Sequence, residues 1–229
     1  MRVAFVVLTA CGRLHFGPDG LIADYHMEDL GSGGDHLTDS VGGHDGTCVS
    51  PGCPIAVAGR IGNALLFDGV DDQIRVPSDP ELDTTRSFTI AAWIQLSVPA
   101  AHENHVATKA FGSGTLDSWS LVVDTDQTVG FSADMPTMAH KLTEPMKLGP
   151  SVWHHLAARW DGTTQDILID GAVVATEVSD DDAWDDNTVN IGADIENGAL
   201  AGPFAGIIDE VRLYDYSLAD DEIALLVAE

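Results

Sequence analysis

The sequence predicts an all-β protein, in which two antiparallel sheets pack face to face as a sandwich and one short helix follows at the carboxyl end. Three observations support this fold class. Roughly a dozen short runs alternate apolar and polar residues. The hairpin dipeptides Asp161-Gly162 and Asp170-Gly171 lie between successive runs. Apolar residues make up 45% of the 229-residue chain, which is enough to fill a core.

The predicted strands follow one another at short intervals from residue 21 onward. The run over 87–96 alternates most clearly, because Phe88, Ile90 and the alternate apolar residues after them lie on one face. The predicted strands cover residues 21–27, 63–67, 73–76, 87–96, 105–109, 119–124, 129–133, 153–160, 166–169, 173–178, 189–191 and 205–214.

Only the carboxyl end has helical periodicity. Ser217 is the predicted N-cap, with Asp220 three residues further on. Ile223 and Leu226 then fall on one face of the helix. The chain has no internal repeat and no linker, so residues 20–229 are predicted to form a single domain.

The first 19 residues have the features of an export segment. Arg2 precedes an apolar run over 3–8, and Leu8-Thr9-Ala10-Cys11 resembles a bacterial lipobox, in which the cysteine becomes the lipidated first residue. Residues 1–19 are therefore predicted to be a signal or lipoprotein-type export segment with a short tether. Plain secretion from another start and an ordinary first strand remain alternatives, because the apolar run is short.

The other two cysteines, Cys48 and Cys53, enclose the turn sequence CVSPGC. Two cysteines this close, without a second pair to complete four ligands, predict a disulfide rather than a metal site. A disulfide agrees with export, because disulfides persist in oxidising compartments. The predicted location is the cell surface, with a lipid anchor at Cys11, or the medium after secretion.

The charge of the chain restricts its partners. The formal net charge is −27, from 37 acidic and 10 basic residues. A field of this sign repels phosphate backbones and anionic lipids, so nucleic acid is not expected as a partner. A membrane is expected only through a lipid anchor at Cys11. The same field attracts divalent cations, although solubility alone explains most of the charge.

Six segments carry a pattern that extends over most of the chain. They are ADYHMED (23–29), DSVGGHDGT (39–47), GNALLFDGVDD (62–72), FTIAAWI (88–94), WHHLA (153–157) and IDEVRLY (208–214). In order and spacing they resemble the LamG-like jelly-roll domain (laminin G type 3), a branch of the concanavalin A-like lectin/glucanase sandwiches. Met27 departs from the pattern, since an aromatic residue is usual there. The resemblance implies a concanavalin A-like jelly roll.

Asp209 is the most informative acidic residue. In the last predicted strand it alternates with Ile207 and other apolar residues, so its carboxylate lies on an apolar face. Burial there requires a cation, an arginine or several backbone donors. The resemblance implies a structural calcium, held by Asp209 and by backbone carbonyls near Met27, Glu28 and Gly62, and calcium accepts such mixed oxygen shells. The alternative is that Asp209 accepts backbone N–H bonds and binds no metal.

Three further aspartates, Asp68, Asp71 and Asp72, occupy the connection between two predicted strands. Asp68 followed by Gly69 predicts a hairpin turn, since aspartate tolerates unusual φ values and bonds its own backbone. Asp71 and Asp72 are expected at the solvated start of the next strand, on opposite faces, where both cannot reach one ion. A second cation site here is the less favoured hypothesis.

The tryptophans divide into one candidate for binding and several for the core. The acidic run 180–186 contains Trp184, which belongs either to a solvated loop or to an exposed platform for a sugar ring or a protein partner. Trp93, Trp153 and Trp160 lie in predicted strands and are expected in the core, whereas Trp119 fits either environment.

The nine histidines do not form a recognisable metal motif. His154 and His155 are adjacent on a predicted strand, so they point to opposite faces and cannot chelate together. His102 and His105 are close enough to meet in a loop, but no carboxylate pattern accompanies them. The histidines are therefore expected mostly at the surface.

Catalysis is not predicted. Retaining hydrolases need two carboxylates about 5–5.5 Å apart. Hydrolase families with this kind of sandwich place them on one strand as Glu-x-Asp-x-x-Glu or Glu-x-Asp-x-Glu, and neither pattern occurs in this sequence. The favoured function is a non-catalytic recognition module outside the cytoplasm that binds a glycan or a cell-surface protein and holds structural calcium. A passive structural or adhesion domain is the alternative, and a glycoside hydrolase is the least favoured.

Overall fold

The computed structural model describes residues 6–8, 14–16, 20–83, 86–97, 102–110, 117–132, 141–179 and 187–229. Two short strands, β1 (Val6–Leu8) and β2 (Leu14–Phe16), pair with each other in a ribbon separate from the main sheets. Cys11 lies outside the described residues, and the export role of residues 1–19 stays a prediction. None of the described helices is both long enough and apolar enough to span a bilayer.

The remaining described chain consists of antiparallel strands and a short carboxyl-terminal helix, as the sequence predicts. The elements are β3 (Leu21–Tyr25), β4 (His36–Leu37), β5 (Gly46–Thr47), β6 (Ile55–Ala58), β7 (Asn63–Asp68), β8 (Ile74–Val76), a 3-10 turn (Pro80–Leu82), β9 (Phe88–Leu96), β10 (Asn104–Ala110), β11 (Asp117–Val123), β12 (Thr128–Ser132), β13 (Lys141–Lys147), β14 (Trp153–Trp160), β15 (Thr164–Ile169), β16 (Ala172–Val178), β17 (Val189–Ile191), β18 (Asp194–Glu196), β19 (Ala199–Ala201), β20 (Ala205–Tyr214) and α1 (Asp220–Val227).

Two sheets form the sandwich. Sheet I has the strand order β13-β12-β11-β10-β17-β8-β5-β4. Sheet II has the order β16-β15-β14-β9-β20-β7-β6, and β3 also pairs with β20. Each predicted strand has a counterpart in one of these sheets. The additional strands β4, β5, β6, β18 and β19 have two to four residues, too few for a clear alternation. The seven-residue strand β13 was not predicted either.

The core lies between the sheets and contains the alternate apolar residues of β9. Trp119 and Trp160 also lie in this core. Trp93 is buried on the other face of β9, where the Arg60 guanidinium stacks 4.6 Å from the centre of its ring, and Trp153 is partly exposed. The prediction of a buried Trp93 is confirmed, although it lies outside the layer between the sheets, and the prediction for Trp153 is wrong. Each is one position out of phase with the residues of its strand that face the other sheet.

The helix α1 packs on the outer face of sheet II. Its buried residues Ile223 and Leu226 form a second apolar cluster with Tyr214 of β20 and with residues of β9, β14 and β15. The one-sided burial explains why a helix of 8 residues is stable here, since tertiary packing supplies most of the stability of so short a helix.

The start of the helix differs from the prediction. The N-cap is Ala219 rather than Ser217, and the N–H of Ala219 donates to Glu222 Oε2 at 2.7 Å. The N–H of Leu218 donates to Thr89 Oγ1 at 2.9 Å. This bond ties the residues before the helix to β9, so the helical turns begin two positions later than the cap pattern indicates.

The loop after β5 contains the predicted disulfide. Cys48 and Cys53 are joined with an S–S distance of 2.05 Å, and Cys48 is buried at the edge of the core. The prediction of a disulfide rather than a metal site at this pair is confirmed.

Candidate metal centre

The last strand, β20, contains a β-bulge at the position of the predicted calcium ligand. Its pairing with β9 shifts register between Asp209 and Arg212, and Glu210 within the bulge has a φ of 48°. Ile208 and Val211 both belong to the core as a result. The prediction that Asp209 shares a face with Val211 is wrong, because the extra residue of a bulge shifts the alternation that follows it.

Asp209 is fully buried against the loop 59–62, which joins β6 to β7. Its Oδ2 accepts the backbone N–H groups of Arg60 at 2.8 Å and of Ile61 at 3.0 Å. Gly59 leaves room for this contact, since a Cβ there would lie 2.7 Å from the same oxygen. The other oxygen, Oδ1, is buried and has no hydrogen-bond partner among the described residues. One oxygen thus fixes the carboxylate, and the other is free to bind a cation.

The other predicted ligands approach the same loop from the end of β3. Glu28 Oε2 accepts the N–H of Asn63 at 3.0 Å. Gly62 has a φ of 66°, and a Cβ added to it would clash with Oε1 of Glu28. Met27 is fully buried with a φ of 56°, in the left-handed region that residues other than glycine seldom adopt. The end of β3, the loop 59–62 and the bulge of β20 therefore meet at one place.

The oxygen atoms at this place have the chemistry that calcium requires. Carboxylates of Asp209 and Glu28 and backbone carbonyls are hard ligands that calcium accepts together. The Gly62 carbonyl accepts the N–H of Gly59 at 3.0 Å and keeps a second lone pair. Burial and the negative charge of Glu210 raise the pKa of Asp209 to about 7. The N–H bonds that its carboxylate accepts from the loop oppose this rise. The carboxyl group of Asp209 therefore loses its proton near neutral pH rather than near pH 4.

On the other side of the bulge, Arg212 forms ion pairs with three acidic side chains. Arg212 Nε lies 3.1 Å from Asp24 Oδ1, and its Nη2 and Nη1 lie 2.7 Å from Glu210 Oε2 and 2.7 Å from Glu229 Oε2. His26 Nδ1 lies 3.0 Å from the same Glu210 oxygen. The two consecutive acids of the bulge consequently have separate surroundings: one faces the loop 59–62, and the other faces this arginine.

The three aspartates Asp68, Asp71 and Asp72 lie in a turn that begins at the last residue of β7. Asp68 Oδ1 accepts the N–H groups of Val70 at 2.8 Å and Asp71 at 3.3 Å, which agrees with its predicted role. The expectation for Asp71 and Asp72 is wrong, because β8 begins only at Ile74 and strand alternation does not apply to them. Asp72 is buried and accepts the N–H of Asp68 at 2.8 Å, and carboxylate oxygens of the three aspartates lie within 4.8 Å of one another.

The predicted aromatic platform, Trp184, and the predicted lipidation site, Cys11, lie outside the described residues. The histidines differ from the expectation of a mostly exposed set, since His44, His105 and His155 are buried. Sequence inspection considered His105 only together with His102 and did not connect it with Asp117 and Asp194, because these carboxylates belong to β11 and β18 and only the fold brings them close.

Comparison with known proteins agrees with this architecture. A family model for laminin G type 3 domains, of the concanavalin A-like lectin/glucanases superfamily, matches residues 68–224. The binding domain of Paraclostridial Mosquitocidal Protein 1 is 13% identical with a TM-score of 0.71, and the match covers 91% of this chain and 52% of that chain. The chain thus spans about half of that relative.

Two further solved structures have the same fold. Domain 4 of AbnA, a GH43 extracellular arabinanase from Geobacillus stearothermophilus solved in complex with arabinotriose, is 19% identical with a TM-score of 0.69. That match covers 92% of this chain and 100% of the arabinanase domain. Trypanosoma rangeli sialidase is 15% identical with a TM-score of 0.65 over 90% of this chain and 32% of its own. No curated protein sequence matches the chain.

Proposed function

Because the chain belongs to the concanavalin A-like lectin/glucanases superfamily, we propose that it is a non-catalytic recognition module that binds a glycan or a cell-surface protein. The observation that carries this proposal is the correspondence with domain 4 of the arabinanase, which was solved with arabinotriose and all of which matches 92% of this chain. The mosquitocidal relative is a binding domain as well. Since one fold hosts many functions, the proposal needs support from particular side chains.

The placement of the acids supports recognition rather than hydrolysis. A glycosidase must present an acid and a second carboxylate to the substrate. Asp24 and Glu210 are buried and share Arg212, and Asp117 and Asp194 are only 8% and 2% exposed. Neither pair is presented to a glycosidic bond in this conformation.

A structural calcium at the metal centre is part of the proposal. The buried, unpartnered Oδ1 of Asp209 supports it, because an uncompensated carboxylate oxygen is unfavourable in the interior. A cation held by Asp209, Glu28 and carbonyls near Met27 and Gly62 would tie the end of β3 and the loop 59–62 to the bulge of β20. Calorimetry of chelator-treated protein tests this directly: neither heat nor a change in melting temperature on adding calcium would remove the calcium from the proposal.

The proposed location is outside the cytoplasm. The disulfide between Cys48 and Cys53 supports it, because disulfides persist in oxidising compartments. Anchoring through a lipid on Cys11 and release after cleavage within residues 1–19 are the two forms this export would take. Metabolic labelling with a radioactive fatty acid, compared between the wild type and Cys11→Ala, distinguishes them.

A glycan-array screen of the protein, run with calcium and again with a chelator, tests the recognition function. We expect binding to one class of glycan, and reduced binding by Trp184→Ala if that side chain is the platform. If the folded protein binds no glycan either with calcium or with chelator, the second candidate, a passive structural or adhesion domain, is favoured. Release of sugar from an arrayed glycan would contradict the non-catalytic assignment.

A further inference from the structure

A row of polar side chains crosses sheet I on the face turned away from the core. Thr108 of β10 pairs with Ser120 of β11 on one side and with Asn190 of β17 on the other. The strand neighbours of Asn190, Val189 and Ile191, belong to the core, so Asn190 itself faces outward. All three polar residues are nevertheless at most 3% exposed, which makes this outer face a buried environment.

Three metal-ligating side chains meet at this row. His105 comes from β10, Asp117 begins β11 and Asp194 begins β18. One ligand atom of each lies within 4.8 Å of the others, and the residues are 6%, 8% and 2% exposed. A carboxylate as buried as that of Asp194 is unfavourable without a compensating partner, because water is excluded from it.

The surrounding structure holds two of these side chains in place. His105 Nδ1 lies 3.1 Å from Ser120 Oγ. The Thr108 hydroxyl lies 3.3 Å from the Ala193 carbonyl and 3.4 Å from Asp194 Oδ1. Gly202 accepts the N–H of His105 at 3.0 Å, and a Cβ at Gly202 would clash with the imidazole ring. Such outer contacts orient the ligands of metal sites in proteins.

An independent observation indicates a further polar group at the same place. The side chain of Asn190 is 0% exposed, and its Nδ2 has no hydrogen-bond partner among the described residues. It lies on the same face as Thr108, the residue that contacts Asp194. A buried amide donor without an acceptor is costly, and a water bound to a metal ion would supply the acceptor.

We propose that His105, Asp117 and Asp194 form a second divalent-metal site that takes a transition metal such as Zn²⁺, separate from the calcium centre at Asp209. The imidazole nitrogen selects this class of metal, whereas an all-oxygen site suits calcium. The charge of a divalent ion balances the two carboxylates, and the partly exposed Glu103, whose Oε2 lies 3.6 Å from His105 Nε2, adds a further negative charge beside the site. The ion joins β10 and β11 to β18, and Asn190 donates to a water in its fourth position.

Zinc and calcium titrations of chelator-stripped protein test the proposal. We expect the wild type to bind one equivalent of Zn²⁺ at this site, and Asp194→Asn to weaken that binding at least tenfold. Asp170→Asn is the matched control, because it makes the same change beside another histidine: His154 Nδ1 lies 2.9 Å from Asp170 Oδ2. Calcium binding should be the same in all three proteins, since none of these changes touches Asp209.

The outcomes separate the possibilities. Equal zinc binding by Asp194→Asn and Asp170→Asn, or none by the wild type, would overturn the proposal. If circular dichroism shows that Asp194→Asn does not fold, the test uses the visible absorption spectrum of Co²⁺ bound to the wild type instead. Visible d–d bands of a four-coordinate cobalt ion with one nitrogen ligand are expected, and a spectrum like that of hydrated Co²⁺ would overturn the site.

Discussion

The effect of replacing Asp209 by asparagine on the free energy of unfolding should change sign between metal-free and calcium-saturated protein. The substitution keeps the shape of the side chain and one oxygen for the N–H groups of Arg60 and Ile61. It removes the negative charge that is buried without a partner at Oδ1. We therefore expect the variant to be more stable than the wild type when both are free of metal, and less stable when calcium is saturating.

The magnitude follows from the pKa of the buried carboxylate. Burial raises the pKa of Asp209 from 3.8 to about 7, and each pKa unit corresponds to about 1.4 kcal/mol. Holding the ionised form in the fold at pH 8 therefore costs about 4 kcal/mol. The asparagine Nδ2 replaces Oδ1 as an unsatisfied buried group, which costs about 1–3 kcal/mol. The metal-free variant should be more stable by roughly 2 kcal/mol, whereas calcium at about 100 times its Kd stabilises only the wild type, by about 2.7 kcal/mol.

Denaturant unfolding of both proteins, in chelator and in calcium, measures these differences. The wild type without metal should also lose free energy of unfolding as the pH rises from about 4 to about 7, since the native state binds more protons than the unfolded state in that window. The free energy of unfolding of the variant should not show this decrease with pH, because asparagine does not titrate. A variant that is less stable than the wild type in chelator at pH 8, together with a wild type that ignores calcium, would refute the reasoning and show that the backbone N–H bonds alone stabilise the ionised carboxylate.

Three further predictions concern other parts of the structure. Gly62→Ala and Gly34→Ala both place alanine at a positive φ, 66° and 72°, and each should lose roughly 1 kcal/mol, but only the Cβ at Gly62 meets Glu28. Calorimetry should therefore show weaker calcium binding only in Gly62→Ala, and equal binding by the two variants would exclude Glu28 as a ligand. Burial lowers the pKa of His155 to about 3, so the unfolded chain takes up the proton first and the native state is destabilised as the pH falls below about 6.5. His155→Gln should lose less stability than the wild type between pH 7 and pH 4.5, and parallel unfolding curves would contradict this. Arg212→Met removes the guanidinium that three buried carboxylates share and should lose about 3–5 kcal/mol in denaturant unfolding, whereas a loss under about 1 kcal/mol would show that the arginine does not stabilise them.

The strands were predictable because the information they depend on is local. Alternation along 87–96 specifies which side chains face the core, and β9 (Phe88–Leu96) buries those residues. The disulfide between Cys48 and Cys53 was predictable for the same reason, since five positions of sequence separate the cysteines. Very short strands such as β4 and β5 escaped prediction, because two residues carry no period.

The candidate sites were predictable only in part. The family pattern named Asp209, Glu28 and Gly62 together, and the structure places all three at the loop 59–62. Strict alternation misassigned the face of Asp209, because a bulge at Glu210 leaves no mark in the pattern of apolar residues.

The sequence by itself determined the fold class, the order of the strands, the disulfide and the acid that most needs a partner, because each of these depends on neighbours along the chain. Only the tertiary structure brought His105, Asp117 and Asp194 together. Their side chains come from β10, β11 and β18, and strand pairing rather than sequence spacing sets the distances between them. Burial, which makes their charges costly and a metal ion a fitting partner, likewise exists only once the sheets have packed.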